Sequence, residues 1–181
     1  LAEKYFLESL DLQPDNPATL NNLGILKKKM NHISKSLEYF EININKNNFK
    51  NSWINKSNLL IENNKNLEGL KFSEEAIKKY PKDKKLKNNY AVFLFKCGFQ
   101  KEALDIYRDF DNQNLHFQDS CINYSNLLIK INNLSTALEV TNKFILEDNN
   151  NLEVLRQRAL IYKLLFDYNN SEKDLLKLIQ I

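Results

Sequence analysis

Residues 84–117 read KKLKNNYAVFLFKCGFQKEALDIYRDFDNQNLHF. Tyr90 and Ala91 lie on one helical stretch, Cys97-Gly98-Phe99 interrupts it, and a second stretch carries Ala103, Tyr107 and Phe110 at i, i+4 and i+7. This is the pattern of two helices joined by a tight turn, with a small residue on each arm where the arms meet. The same place recurs in both directions from Ala103. Ala137 and Ser171 follow at intervals of 34 residues, Gly69 precedes by 34, Ser36 by a further 33 and Ala2 by another 34. A fixed period of this length, each unit a two-helix hairpin, marks a helical solenoid in which every unit buries its apolar face against the next.

Five units follow one another in register, at 17–49, 50–83, 84–117, 118–151 and 152–181, after a leading half unit at 1–16. The first opens on Pro17-Ala18-Thr19-Leu20-Asn21-Asn22-Leu23-Gly24 and carries Phe40; the second has Trp53, Gly69, Ala76 and Pro81. The third has Tyr90, Ala91, Leu94, Ala103, Tyr107 and Phe110. Tyr124, Ser125, Leu128 and Ala137 mark the fourth, and Leu155, Ala159, Tyr162, Ser171, Leu175 and Leu178 the fifth. The pattern resembles the tetratricopeptide repeat over essentially the whole chain. That resemblance implies an all-α, right-handed superhelical solenoid forming a single domain over 1–181. It also implies a protein- or peptide-binding scaffold whose first-arm helices line a concave groove.

Composition agrees with a helical class. The chain is 43% hydrophobic and 27% charged, with only three Gly and three Pro, too few breakers for a turn-rich β fold. A net charge of +3, from 26 basic and 23 acidic side chains, sets up no dominant field for nucleic acid or an anionic membrane. Cys97 and Cys121 form no spaced pair, so they are expected as buried small hydrophobes in a reducing, cytoplasmic compartment. No secretory signal and no apolar run near the length of a membrane span is present. The chain opens on Leu1 rather than Met, and its last helix is apolar through Leu175, Leu176, Leu178, Ile179 and Ile181. A longer parent is therefore expected, with self-association through the end helices as a further expectation.

Residues 1–12 read as a second-arm helix without its own first arm, expected to lean on the next hairpin or on sequence upstream of it. Asn16-Pro17 is a start signal, the amide capping free N–H groups and the proline sitting where no N–H is needed. Hairpins are expected at 51–63 with 66–79, at 84–97 with 100–111, at 118–131 with 134–147 and at 152–165 with 168–180. Lys56 and Arg158 depart from the pattern, since both stand at the seventh place, where a large apolar residue belongs. The expectation is that their stems cover the core while their charged heads stay in water.

The sixth place of the five units holds Asn22, Asn55, Asn89, Asn123 and Gln157, and Asn58 and Asn126 lie three residues further along the same helix face. A carboxamide carries both a donor and an acceptor, so a column of them can pair with the C=O and N–H groups of an extended peptide whatever its side chains. The column is similar to the asparagine ladder of the O-linked N-acetylglucosamine transferase superhelix, which holds substrate polypeptides in this way. The rival explanation is composition, because about 15% of the residues are Asn, but recurrence at one place in all five units favours the ladder. The alternative function is that of a non-catalytic, substrate-recruiting region of a larger enzyme such as a glycosyltransferase or sulfotransferase.

A carboxylate clamp is not supported, since Ile25, Ile54, Val92 and Ile122 stand where clamp residues would be required. Lys29, Lys96 and Lys130 share a place at first-arm ends, where cations complement the helix dipole. His32 and His116 are isolated and in turns, and Gly24 and Gly69 are packing residues by register rather than parts of a phosphate loop. The reading is of a region without catalytic residues, cofactor, metal, nucleic-acid partner or membrane contact.

Overall fold

The computed structural model describes residues 1–180. About 80% of the chain is helical, in eleven helices without a strand among the described residues. They are α1 (Ala2–Leu12), α2 (Pro17–Lys29), α3 (Ile33–Asn47), α4 (Lys50–Glu62), α5 (Asn66–Lys79), α6 (Lys84–Lys96), α7 (Gln100–Asn112), α8 (Gln118–Lys130), α9 (Leu134–Glu147), α10 (Leu152–Leu164) and α11 (Tyr168–Gln180). The fold is an all-α helical-repeat solenoid of antiparallel hairpins. The chain divides into two compact units, residues 1–93 and 94–181. Ile181, counted among the apolar residues of the last helix, lies outside the described residues.

The turn between the arms of each hairpin has a repeated backbone signature. Asn31, Asn64, Gly98, Asn132 and Phe166 all have positive φ, at 59°, 54°, 92°, 61° and 61°. They stand 33 or 34 residues apart, one per hairpin. A left-handed residue reverses the chain in the fewest steps, and Asn and Gly pay least for that conformation. Part of the Asn abundance therefore has a structural cause. At the other kind of turn Asn16 accepts from the Thr19 N–H at 3.0 Å, with Pro17 at the first position of α2.

In the first unit the core is Leu20, Leu23, Phe40, Leu59, Leu60 and Phe93, with Trp53 stacked on Phe72 at 5.0 Å between centroids. The small place governs how closely the arms approach. A methyl group on Gly24 would overlap the Phe40 ring, and one on Gly69 would overlap Phe93. Ser36 occupies that place in the first hairpin, is buried, and donates its hydroxyl to the Gly24 carbonyl at 2.7 Å. α1 leans on α2: none of its residues is fully buried, and Ser9 Oγ lies 3.1 Å from Thr19 Oγ1. Ala2, the earliest member of the small-residue column, is exposed.

In the second unit Ala103, Ala137 and Ala159 are fully or almost fully buried, and Ser171 donates to the Ala159 carbonyl at 2.9 Å. Ser36 and Ser171 thus solve the same problem in the two units: a hydroxyl at the crossing is satisfied by the carbonyl it faces. Tyr107 and Tyr124 stack at 5.0 Å, and Cys121 is buried beneath α9, its thiol pushed up to about 12 by desolvation. Both cysteines are free. Leu175, Leu176 and Ile179 of α11 are exposed.

Two expectations about charged residues need correction. The head of Arg158 is not in water. Its guanidinium forms a fork on Asp174, Nε to Oδ2 at 2.7 Å and Nη2 to Oδ1 at 2.6 Å, and Nη1 donates to Asn142 Oδ1 at 3.0 Å. The side chains of Arg158 and Asp174 keep only 14% and 4% of their exposure. Lys56 likewise turns its ammonium onto Glu41 and over the Phe72 ring, 4.5 Å from the centroid. Lys27, at the eleventh place of its unit, pairs with Glu3 at 2.5 Å. Each cation at a core place is met by a carboxylate from a second-arm helix, because a cation held this deep in the packing needs a partner.

Candidate functional site

The amide column is distributed over the two units. Asn22 on α2, Asn55 and Asn58 on α4 and Asn89 on α6 belong to the first; Asn123 and Asn126 on α8 and Gln157 on α10 belong to the second. Asn22 and Asn126 are exposed, Asn55, Asn58, Asn123 and Gln157 are half-buried, and Asn89 is buried at 5% exposure.

Most of these carboxamides meet one another. Asn89 Nδ2 donates to Asn58 Oδ1 at 2.6 Å, and Gln157 Nε2 donates to Asn126 Oδ1 at 2.7 Å. Both bonds run from the sixth place of one hairpin to the ninth place of the hairpin before it, 31 residues back. The first hairpin has Ile25 at the ninth place, so Asn55 Nδ2 donates instead to Asn21 Oδ1, at 2.9 Å. Asn89 is closed at both ends, since its oxygen also accepts from Asn88 Nδ2 at 3.3 Å. Buried and spent, it works as a strut between α4 and α6 rather than as an open contact.

Sequence reasoning missed Asn21. Its oxygen accepts from Ser52 Oγ at 3.2 Å as well as from Asn55, and Ser52 in turn accepts from Asn43 Nδ2 at 2.8 Å. Asn43 also reaches the Pro17 carbonyl at 2.8 Å, so one polar chain ties α3, α4 and α2 together. The available signal was adjacency: Asn21 precedes a column residue, but its place faces inward, where a lone amide is costly unless paired.

In the second unit His116 is stacked on Tyr124 at 5.7 Å and edge-on to Phe110 at 5.9 Å. Its Nδ1 lies 3.2 Å from Ser120 Oγ, and its Nε2 is 3.4 Å from Asp111 Oδ1. Burial pulls the imidazole below its ordinary value of 6.5, and this outweighs Asp111 and Glu147, which favour the charged form; Lys143 opposes it. The unfolded chain therefore binds this proton more readily than the folded one. His116 adds stability that is complete above 6.5 and is lost as pH falls through its depressed folded value. Wild type is expected to lose more stability than His116→Phe between neutral pH and about pH 5, measured by urea unfolding; parallel losses would refute this.

No group of three or more His, Cys, Asp or Glu side chains is placed to hold a metal ion among the described residues. No described helix is long and apolar enough to cross a membrane.

No protein-family model matches the chain, and no curated protein matches it. Solved structures do. A tetratricopeptide repeat protein from Parabacteroides merdae superposes with a TM-score of 0.78 at 13% identity, over 97% of this chain and 69% of that one. A thermophilic protein of the same repeat class from Thermus thermophilus gives 0.77 at 11% identity, over 91% of each chain. YrrB, a repeat protein of this class with an unusual peptide-binding site, gives 0.61 at 14% identity, over 97% of this chain and 91% of that one. Identities this low speak for architecture alone, and what they establish is a tetratricopeptide-repeat-like fold.

Proposed function

We propose that the chain is a protein-binding scaffold that grips an extended polypeptide through the first-arm carboxamides of its hairpins. The observation that carries this reading is the pairing of Gln157 with Asn126. The bond between them uses one hydrogen of Gln157 and the oxygen of Asn126. Among the described residues the Asn126 amide hydrogens and the Gln157 oxygen have no protein partner. A donor and an acceptor thus stand side by side at the surface, matching the alternating C=O and N–H of a main chain. In the first unit Asn55 and Asn58 keep the corresponding atoms, the oxygen of one and the amide hydrogens of the other, with Asn22 exposed on the neighbouring first arm. Asn123 belongs to the same column in the second unit. The peptide-binding site of YrrB, on the same fold, lends support by analogy.

Affinity from such contacts is modest, about 0.5–1.5 kcal/mol for each pair. Asn126→Asp tests the reading with little disturbance: the carboxylate still accepts from Gln157, but the outward donor is gone. A peptide selected on the wild-type protein from a random-sequence display library is expected to bind Asn126→Asp about tenfold more weakly, with unfolding unchanged. Asn89→Ala is the contrasting control. It should leave peptide affinity alone and cost about 1–2 kcal/mol of stability, by removing the donor that the Asn58 oxygen accepts from. Undiminished peptide binding by Asn126→Asp would remove the amide column from the function.

A further inference from the structure

We propose that the α5–α6 turn of the first unit is a docking surface for an acidic polypeptide segment. The chain as a whole carries only +3, but residues 78–87 read KKYPKDKKLK, six lysines against one acid. That acid is already engaged. Asp83 accepts from the backbone N–H groups of Lys85 and Leu86 at 3.0 and 3.1 Å, capping α6, and pairs with Lys50 at 3.1 Å. Lys78, Lys79, Lys82 and Lys85 are exposed and form no ion pair among the described residues.

Helix stability does not explain this charge. Lys78 and Lys79 complement the carbonyl end of α5, where cations belong. Lys85 is at the opposite kind of end, in the first turn of α6, which has no acidic residue. Positive charge there opposes the helix dipole, and the lysines repel one another across a short turn. A fold selected for stability alone would place acids at these positions. A negatively charged partner would relieve both penalties at once.

The surface also has shape. An open depression of about 400 Å³ is lined by Lys50, Lys79, Tyr80, Pro81, Lys82 and Asp83, and Lys79 also lines a second, half-open one of about 460 Å³. The Tyr80 hydroxyl donates to the Asn48 carbonyl at 2.7 Å, which fixes the ring as a wall. An aliphatic stem with a carboxylate at its tip, as in Glu, fits an apolar wall rimmed by ammonium groups. Nucleic acid fits less well. Single strands are held by successive bases stacked on several open aromatic faces, but Trp53 beside the patch is only 6% exposed and the half-buried Tyr80 is the one aromatic ring lining the depression.

The test uses the whole chain and a fluorescein-labelled synthetic peptide of alternating Glu and Asp, with a Gln/Asn peptide of equal length and a labelled oligothymidine as comparisons. The acidic peptide should bind, and its affinity should fall as salt rises from about 0.05 M to about 0.5 M. Lys82→Gln with Lys85→Gln should weaken it about tenfold and raise the melting temperature, because a repulsive pair is lost from the start of α6. Lys101→Gln with Lys163→Gln, exposed positions in the second unit, removes the same charge and should leave the acidic-peptide affinity unchanged. Equal acidic-peptide affinity in the two double variants, or tighter binding of oligothymidine than of the peptide, would overturn the proposal. Lower thermal stability in the first double variant would mean that these lysines serve the fold.

Discussion

Replacing Asp174 by Ala is expected to destabilise the second unit by about 3 kcal/mol, read from urea unfolding of the whole chain. The carboxylate it removes is 4% exposed and takes two of the three hydrogen bonds made by the Arg158 guanidinium. The pair holds the Arg158 charge more firmly than usual, its ionisation shifted upward chiefly through the hydrogen bonding it donates to Asp174. Without that partner the cation stays between α10 and α11 with only Asn142 and the Tyr162 ring, 5.8 Å away, to receive it. Removing one partner of a buried pair costs far more than the pair contributes, because the survivor has given up water and gained nothing in return. The comparison with Arg158→Leu plus Asp174→Leu is decisive. Two apolar side chains of fitting volume should restore most of the loss, as the repeat pattern wants an apolar residue at this place. A loss below about 1 kcal/mol for Asp174→Ala would mean that water reaches the guanidinium after all, as its exposed counterparts elsewhere on a helix allow.

The contrast between Arg158 and Ala159 shows how much of this protein was legible in its sequence. Ala159 follows from periodicity: a small residue recurring every 33 or 34 positions fixes which face of each helix is buried, and helix boundaries follow from the turns between. The helices begin and end within one or two residues of the expected positions because the punctuation is local: Asn16-Pro17 at the start of α2, Gly98 at a left-handed turn, Pro81 beyond α5. Arg158 is on the same face, and periodicity says only that its stem is there. Where its head goes depends on Asp174, sixteen residues away on the facing arm, and on a rotamer that no spacing rule contains. The amide column has the same division. Its alignment on the first arms was readable, but the bonds that spend Asn89 and leave Asn126 outward connect residues 31 apart and depend on side-chain direction. The lysines at the α5–α6 turn were hidden for a different reason: a net charge summed over the chain averages a local excess against acids placed elsewhere.

Gly69→Ala is expected to destabilise the first unit by about 2 kcal/mol, and the sign of the effect carries the argument. Gly69 lies inside α5, where an exposed glycine replaced by alanine would gain up to about 1 kcal/mol of helix propensity. The added methyl instead falls on the ring of Phe93, which is fully buried. That ring cannot swing aside like the end of a flexible surface side chain, so α5 and α6 must part or the ring must leave its rotamer. If the glycine is there to let the arms close on Phe93, trimming the ring should repair the damage. Phe93→Leu alone opens a cavity and destabilises, yet joined to Gly69→Ala it should cost at least about 1 kcal/mol less than the sum of the single changes. Additive losses would mean that the two positions are not in contact. A gain in stability for Gly69→Ala alone would place this residue on an open helix face, and the small-residue column would then no longer explain why hairpins separated by one period pack alike.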